Sequence, residues 1–225
     1  MPRPWKLIER VDTPEGPLEL RQRDARDFMI SVSGRVLMSS IIHRSESMIA
    51  ELGCERAKQL PAPRVLIGGL GLGFTLRAAL DALPKRASVT VAELNPVVAT
   101  WGRGPLREVS GAALEDARVN VVIGDVTDVI RKAASGVHER FDAVILDLYL
   151  GPTQGRHAEH DPLYGKSILE ATARSLKARG SYVVWGEDPE PSFERRMQQA
   201  GFRTEVVRNR GGGPRHVIYV GRLGD

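Results

Sequence analysis

The chain has one cysteine, Cys54, in 225 residues, and only 5% of those residues are aromatic. A single thiol closes no internal disulfide, so nothing calls for an oxidising compartment and a reducing cytoplasm is the expected location. Few aromatics also means no interleaved stacking platform of the kind single-stranded nucleic acids use. Long apolar runs are missing too. The most apolar stretch, Val65 to Leu83, is broken by Gly68, Gly69, Gly71 and Gly73 and carries Arg77, so it fails as a membrane span and no membrane partner is expected. Met1 to Arg10 lacks the apolar centre and small-residue cleavage site of a secretory leader. Internal repeats and low-complexity tracts do not occur.

What is present fits one packed globular unit, with 42% apolar and 27% charged residues. The net charge of +4 draws on an excess late in the chain, at Arg195, Arg196, Arg203, Arg208, Arg210 and Arg215. Such an excess reads as a solvated basic face, and nucleic acid is not an expected partner.

Residues 1–44 differ from the rest. Alternation in Pro17 to Arg21 and Phe28 to Val32 predicts a small antiparallel β unit, and a helical pattern from Ser45 to about Gln59 leads into a main domain spanning 45–225. There, short β-rich runs at 65–67, 89–92, 119–123, 143–146 and 182–185 alternate with helical patterns at 74–83, 127–134, 164–177 and 192–200. This alternation predicts an α/β fold, a doubly wound, mostly parallel Rossmann-like sheet. Two closing runs, Arg203 to Val207 and His216 to Val220, are joined through Gly211-Gly212-Gly213-Pro214 and predict an antiparallel C-terminal edge hairpin.

The strongest local signal is Gly68-Gly69-Leu70-Gly71-Leu72-Gly73, between the first parallel strand and its helix. Glycines there let the backbone turn tightly, and the following helix N-terminus offers N–H groups to an anion such as the methionine carboxylate of S-adenosylmethionine. The nicotinamide fingerprint G-x-G-x-x-G fails, because its third glycine falls on Phe74 or Leu76. Gly69, Gly71 and Gly73 instead make the G-x-G-x-G of S-adenosylmethionine enzymes. Glu93, twenty residues after Gly73, ends the second strand ahead of Leu94 and suits both ribose hydroxyls. Asp125, followed by Val126, ends the third strand and is placed either to read an adenine amino group or to cap the next helix.

On Gly69 to Gly73, Glu93, Gly124-Asp125, Phe141 to Asp147 with Gly151-Pro152, and Pro162-Leu163-Tyr164, the sequence resembles the spermidine synthase-like branch of the class I S-adenosylmethionine-dependent methyltransferase superfamily. The resemblance implies a β-stranded N-terminal extension, a cofactor cleft at the strand ends and a homodimer. This chain departs from the branch at its substrate positions. Leu72 and Leu150 stand where the branch has carboxylates, Leu37 where it has a Gln, and Arg44-Ser45-Glu46 where it has Tyr-His-Glu.

A polycationic acceptor is costly to hold without carboxylates. The expected reaction is therefore methyl transfer from S-adenosylmethionine to a small molecule, an in-line displacement that asks mainly for positioning. The alternatives are aminopropyl transfer from the decarboxylated cofactor, an RNA methyltransferase, and a non-catalytic nucleoside-binding member. Asp147 is expected to orient the donor amine or the acceptor, and Tyr149 to line the methyl. Within Arg156-His157-Ala158-Glu159-His160-Asp161 the spacing matches no zinc pattern, so no metal is expected; His160 or His157 is a candidate base. His43 and Glu46 form a second candidate pair, and Trp185-Gly186-Glu187-Asp188 a candidate acceptor wall. Cys54 sits in a helical pattern away from every strand end, which argues against thiolate chemistry on a base.

Overall fold

The computed structural model describes residues 3–41, 43–152, 158–208 and 216–225. His157 and the Gly211 to Pro214 connection lie outside them.

The N-terminal sheet is an antiparallel meander of β1 (Lys6–Thr13), β2 (Gly16–Asp24), β3 (Asp27–Val32) and β4 (Arg35–Ser39). Leu18, Leu20, Phe28 and Ile30 alternate inward as the period of two requires. β1 and β4 go beyond the two strands expected. β1 is exposed along most of its length, so its apolar residues give no inward-outward contrast.

The main sheet has seven strands: parallel β5 (Arg64–Gly68), β6 (Ser88–Glu93), β7 (Val119–Ile123), β8 (Phe141–Leu146) and β9 (Leu176–Gly186), then antiparallel β10 (Arg203–Arg208) and β11 (Val217–Arg222). The spatial order is β10-β11-β9-β8-β5-β6-β7, so the expected α/β architecture with its antiparallel edge is present. β8 is buried at every residue, as a central parallel strand covered on both faces must be.

On one face α1 (Arg44–Cys54), α2 (Phe74–Ala82) and α3 (Pro96–Arg103) share a core with the N-terminal sheet. On the other, α4 (Val126–Ala134), α5 (Lys166–Ser175) and α6 (Pro191–Gln199) pack over Phe141, Tyr182 and Tyr219. The helix expected to run to Gln59 stops at Cys54, and a separate 3-10 turn, Ala57–Gln59, follows. α5 is shorter than expected because Leu176 and Lys177 already belong to β9. α3 escaped the periodicity reading, although Pro96 at its first position is a start signal. No helix of the described residues is long and apolar enough to cross a membrane.

The chain runs from β5 outward to β6 and β7, then returns to the other side of β5 as β8. The reversal opens a crevice between the carboxyl ends of β5 and β8, the place where such sheets bind ligands. At the amino ends of the strands Asp142, 8% exposed, accepts the Arg64 backbone N–H at 2.7 Å and a hydrogen bond from Lys177 Nζ at 2.8 Å. It thereby joins the starts of β5, β8 and β9. Removing a buried charged acceptor strands both donors, so Asp142→Ala is expected to lower unfolding free energy by about 2–3 kcal/mol in a urea titration. A loss under about 0.5 kcal/mol, the ordinary surface value, would show the tie to be dispensable.

Candidate active site

The glycine segment crosses the switch point in a left-handed path. Gly69 has φ 91°, and a Cβ there would come 2.5 Å from the Asp147 carbonyl oxygen. Gly71 has φ 52°, and its Cβ would run into Met38 Sδ. Both glycines thus answer to the protein's own packing as well as to a ligand.

The amides of this segment are not free. Gly69 N–H donates to Ala92 O at 2.9 Å, Leu70 N–H to Glu93 Oε2 at 2.9 Å, and Gly73 N–H to Leu70 O at 2.8 Å. Leu72 N–H points at Met38 Sδ, 3.1 Å away, with Met38 delivered from β4. The amides of the bend are thus mostly taken up internally, whereas the anion site that the sequence suggests lies on the N-terminus of α2.

Glu93 is 7% exposed, and its second oxygen accepts Asn95 N–H at 2.8 Å. Burial raises its carboxyl above the usual range, and the N–H groups of Asn95, Leu70 and Gly71 oppose that shift. Beside it, Leu94 and Ile123 are 55% and 49% exposed at adjacent strand tips, an apolar pair suited to the faces of an adenine ring. Asp125 caps α4 by accepting Thr127 N–H at 2.8 Å. Val126 is core: its side chain is 5% exposed and lies against Gly68, so any contact it offers a ligand is through backbone. This strand-tip set fits an adenosyl group.

Asp147 begins where β8 ends, its N–H bound to Gly68 O at 3.0 Å across the switch point. Thr75, in the first turn of α2, donates its hydroxyl to Asp147 Oδ2. Burial, with the Glu46 charge added, pushes the Asp147 carboxyl up to about 7. Glu46 is itself buried in α1 and accepts the Ser45 hydroxyl at 2.7 Å. His43, its expected companion, stacks instead on Phe74 with centroids 4.2 Å apart.

Tyr149 follows with its hydroxyl raised by burial and by Glu15, the tip of the β1–β2 turn; Arg35 of β4 acts in the other direction. The N-terminal sheet therefore reaches over the crevice at Glu15, Arg35 and Met38. None of the three lies in a motif, and only their packing reveals them.

Past Tyr149 a cleft of about 340 Å³ is lined by Arg35, Leu150, Gly151, Pro152 and Glu187 to Glu190. Behind it the loop after β8 runs against the end of β9: a Cβ on Gly151 would stand 2.7 Å from Gly186 Cα. Tyr164 holds this wall by donating its hydroxyl to Leu150 O at 2.7 Å. Glu187 and Asp188 of the expected acceptor wall are here. Trp185 turns its indole onto His216, centroids 4.9 Å apart, and offers the cleft only its carbonyl. His160 is exposed on a 3-10 turn, Ala158–His160, and no described contact joins it to Asp147 or Tyr149.

Comparison with known proteins bears on this geometry. A family model described as "Spermine/spermidine synthase domain" matches residues 42–200. A polyamine aminopropyltransferase of Mycobacterium tuberculosis is 35% identical over 130 residues, 57% of this chain and 23% of that protein. One of Sulfolobus acidocaldarius is 36% identical over 130 residues, 58% of this chain and 40% of the relative. The chain thus spans well under half the length of these relatives. Among solved structures, a spermidine synthase in complex with the transition-state analogue AdoDATO superposes with a TM-score of 0.74 at 21% identity, over 97% of this chain and 73% of that one. The spermidine synthase of Thermotoga maritima gives 0.74 at 19%, with the same coverage. The expectation of a methyltransferase is overturned, since the relatives are named for aminopropyl transfer. The substitutions at Leu72 and Leu150 had argued otherwise, but Glu46, Asp147, Glu187 and Asp188 bring carboxylates to the same crevice from other elements. With a match extending over most of the main domain, this chain belongs to the spermine/spermidine synthase domain family.

Proposed function

We propose that this protein transfers the aminopropyl group of decarboxylated S-adenosylmethionine to an amine acceptor. The observation that carries the reading is the state of the glycine-segment amides. Four N–H groups of the bend, those of Gly69, Leu70, Leu72 and Gly73, bind Ala92, Glu93, Met38 and Leu70, so the bend offers little to a cofactor carboxylate. A donor without a carboxylate asks for none, and the thioether of Met38 is a suitable neighbour for an apolar propyl chain.

The donor's sulfonium supplies the chemistry: it makes the adjacent propyl carbon electrophilic and departs as a neutral thioether. The chain holds and orients. Glu93 has lone pairs left for ribose hydroxyls, Leu94 and Ile123 flank the base, and Asp125 offers its exposed carboxylate nearby. An amine arrives protonated and attacks only after losing a proton. Asp147, raised to about 7, is matched to accept that proton near neutral pH. Glu187 and Asp188 on the cleft wall favour a cationic acceptor.

Calorimetry on the purified protein is expected to give a dissociation constant for decarboxylated S-adenosylmethionine at least about tenfold below that of the intact cofactor, the margin for one ill-matched charged group. Tighter binding of the intact cofactor refutes the reading. With an amine acceptor present, methylthioadenosine should be released.

Asp147→Asn tests the base. Its kcat should fall by about 10²-fold or more, the usual range for a positioned base. Wild-type activity should rise with pH through about 7, and the variant should lack that limb. Stability runs the other way. Because the folded-state value lies above the 3.8 of a free aspartate, ionisation opposes the fold, so wild type should lose stability relative to Asp147→Asn as pH climbs from about 4 through about 7. Melting curves at pH 4 to 8 that stay parallel would rule this out.

A further inference from the structure

The cleft beyond Tyr149 carries a cation that a plain diamine acceptor does not explain. Arg35 is the first residue of β4 and stands on the cleft wall facing Glu187 and Asp188. Its Nη2 lies 3.2 Å from Glu187 Oε2, with the two side chains 56% and 63% exposed. That is longer than the roughly 2.7–2.9 Å of a committed charge-assisted bond, and it uses one corner of a five-donor fork. Leu150 and Gly151 of the cleft wall follow Asp147 by three and four residues, and the Arg35 charge acts on Tyr149 between them, so the cleft adjoins the Asp147 segment.

Behind this wall Glu190 is 4% exposed. Its Oε1 accepts Ser192 N–H at 2.9 Å, while its buried Oε2 has no partner among the described residues. A guanidinium beside the seat of a dication weakens its binding by like-charge repulsion. The same guanidinium is the best available partner for a carboxylate.

We infer that the acceptor is an α,ω-diamino acid: its carboxylate on the Arg35 fork, its α-ammonium on Glu187 and Asp188, and its ω-amine directed toward Asp147. This rests on the aminopropyl-transfer reading and names the substrate class for it. Leu150 and Pro152 on the wall suit the methylene chain between the two ends. The ω-ammonium gives its surplus proton to Asp147. The freed nitrogen lone pair then forms a bond to the aminopropyl carbon as the carbon–sulfur bond breaks, its electron pair passing to sulfur to leave neutral methylthioadenosine. Arg35 takes no part in these bonds and acts on recognition.

The decisive pair of acceptors is 2,5-diaminopentanoic acid and 1,4-diaminobutane, which differ by one carboxylate. With decarboxylated S-adenosylmethionine as donor, wild-type kcat/KM is expected to be at least about tenfold higher for the diamino acid, the worth of one charge-assisted pair. Arg35→Gln should lose about that factor on the diamino acid while holding or gaining on the diamine. The ratio is internal to each protein, so a general folding defect does not mimic it. Wild-type preference for the diamine, or an equal fall on both acceptors in Arg35→Gln, overturns the inference. Methylthioadenosine release with the diamine alone removes the diamino acid and leaves aminopropyl transfer standing. No release with either acceptor removes both.

Discussion

The buried carboxylate of Glu93 is the tie on which the rest of the cleft depends. It gathers N–H groups from the glycine segment on one side and from Asn95 on the other, so the ends of β5 and β6 are fastened through one side chain. A carboxylate out of water is expensive unless hydrogen bonds surround it, and here the backbone of the ligand-binding bend supplies them. The bend is thereby set before any ligand arrives. Its amides serve the protein first, and what remains for a ligand is the far side of the carboxylate and the apolar strand tips.

That arrangement explains why acidic residues rather than amides dominate the crevice. Glu46, Glu93 and Asp147 are brought in from α1, β6 and β8 respectively, and the sheet topology concentrates them at the switch point. Burial, with the Glu46 charge added, keeps a proton on Asp147 through the acidic range and makes it exchangeable near neutrality. Thr75 holds the orientation of that carboxyl.

Much of this was legible in the sequence where local pattern dictates structure. Buried parallel strands read as apolar runs, the glycine bend lies where a strand yields to a helix, and Glu93 and Asp125 sit at strand ends by spacing alone. Residues contributed by packing between units left no such signal. Met38, Glu15 and Arg35 come from a sheet whose outer strands are solvent-facing, and no spacing connects them to β5 or β8. The misreading of the reaction has the same origin. Leu72 and Leu150 remove carboxylates at two positions, yet a crevice collects charge from every element that reaches it, and Glu46 and Glu187 reach it from elsewhere. Leu72 is a core residue 1% exposed, so its apolar nature says little about the ligand.

The contact of Gly151 with Gly186 bears on how this site can diverge. A side chain on Gly151 would drive into the main chain of residues 185–187, so packing alone reserves that position for glycine. The side chains that can change without moving that backbone are those around it, Arg35, Leu150 and Asp188, which line the cleft. A fixed back with an editable rim lets one scaffold change what the cleft holds while the backbone behind it stays in place.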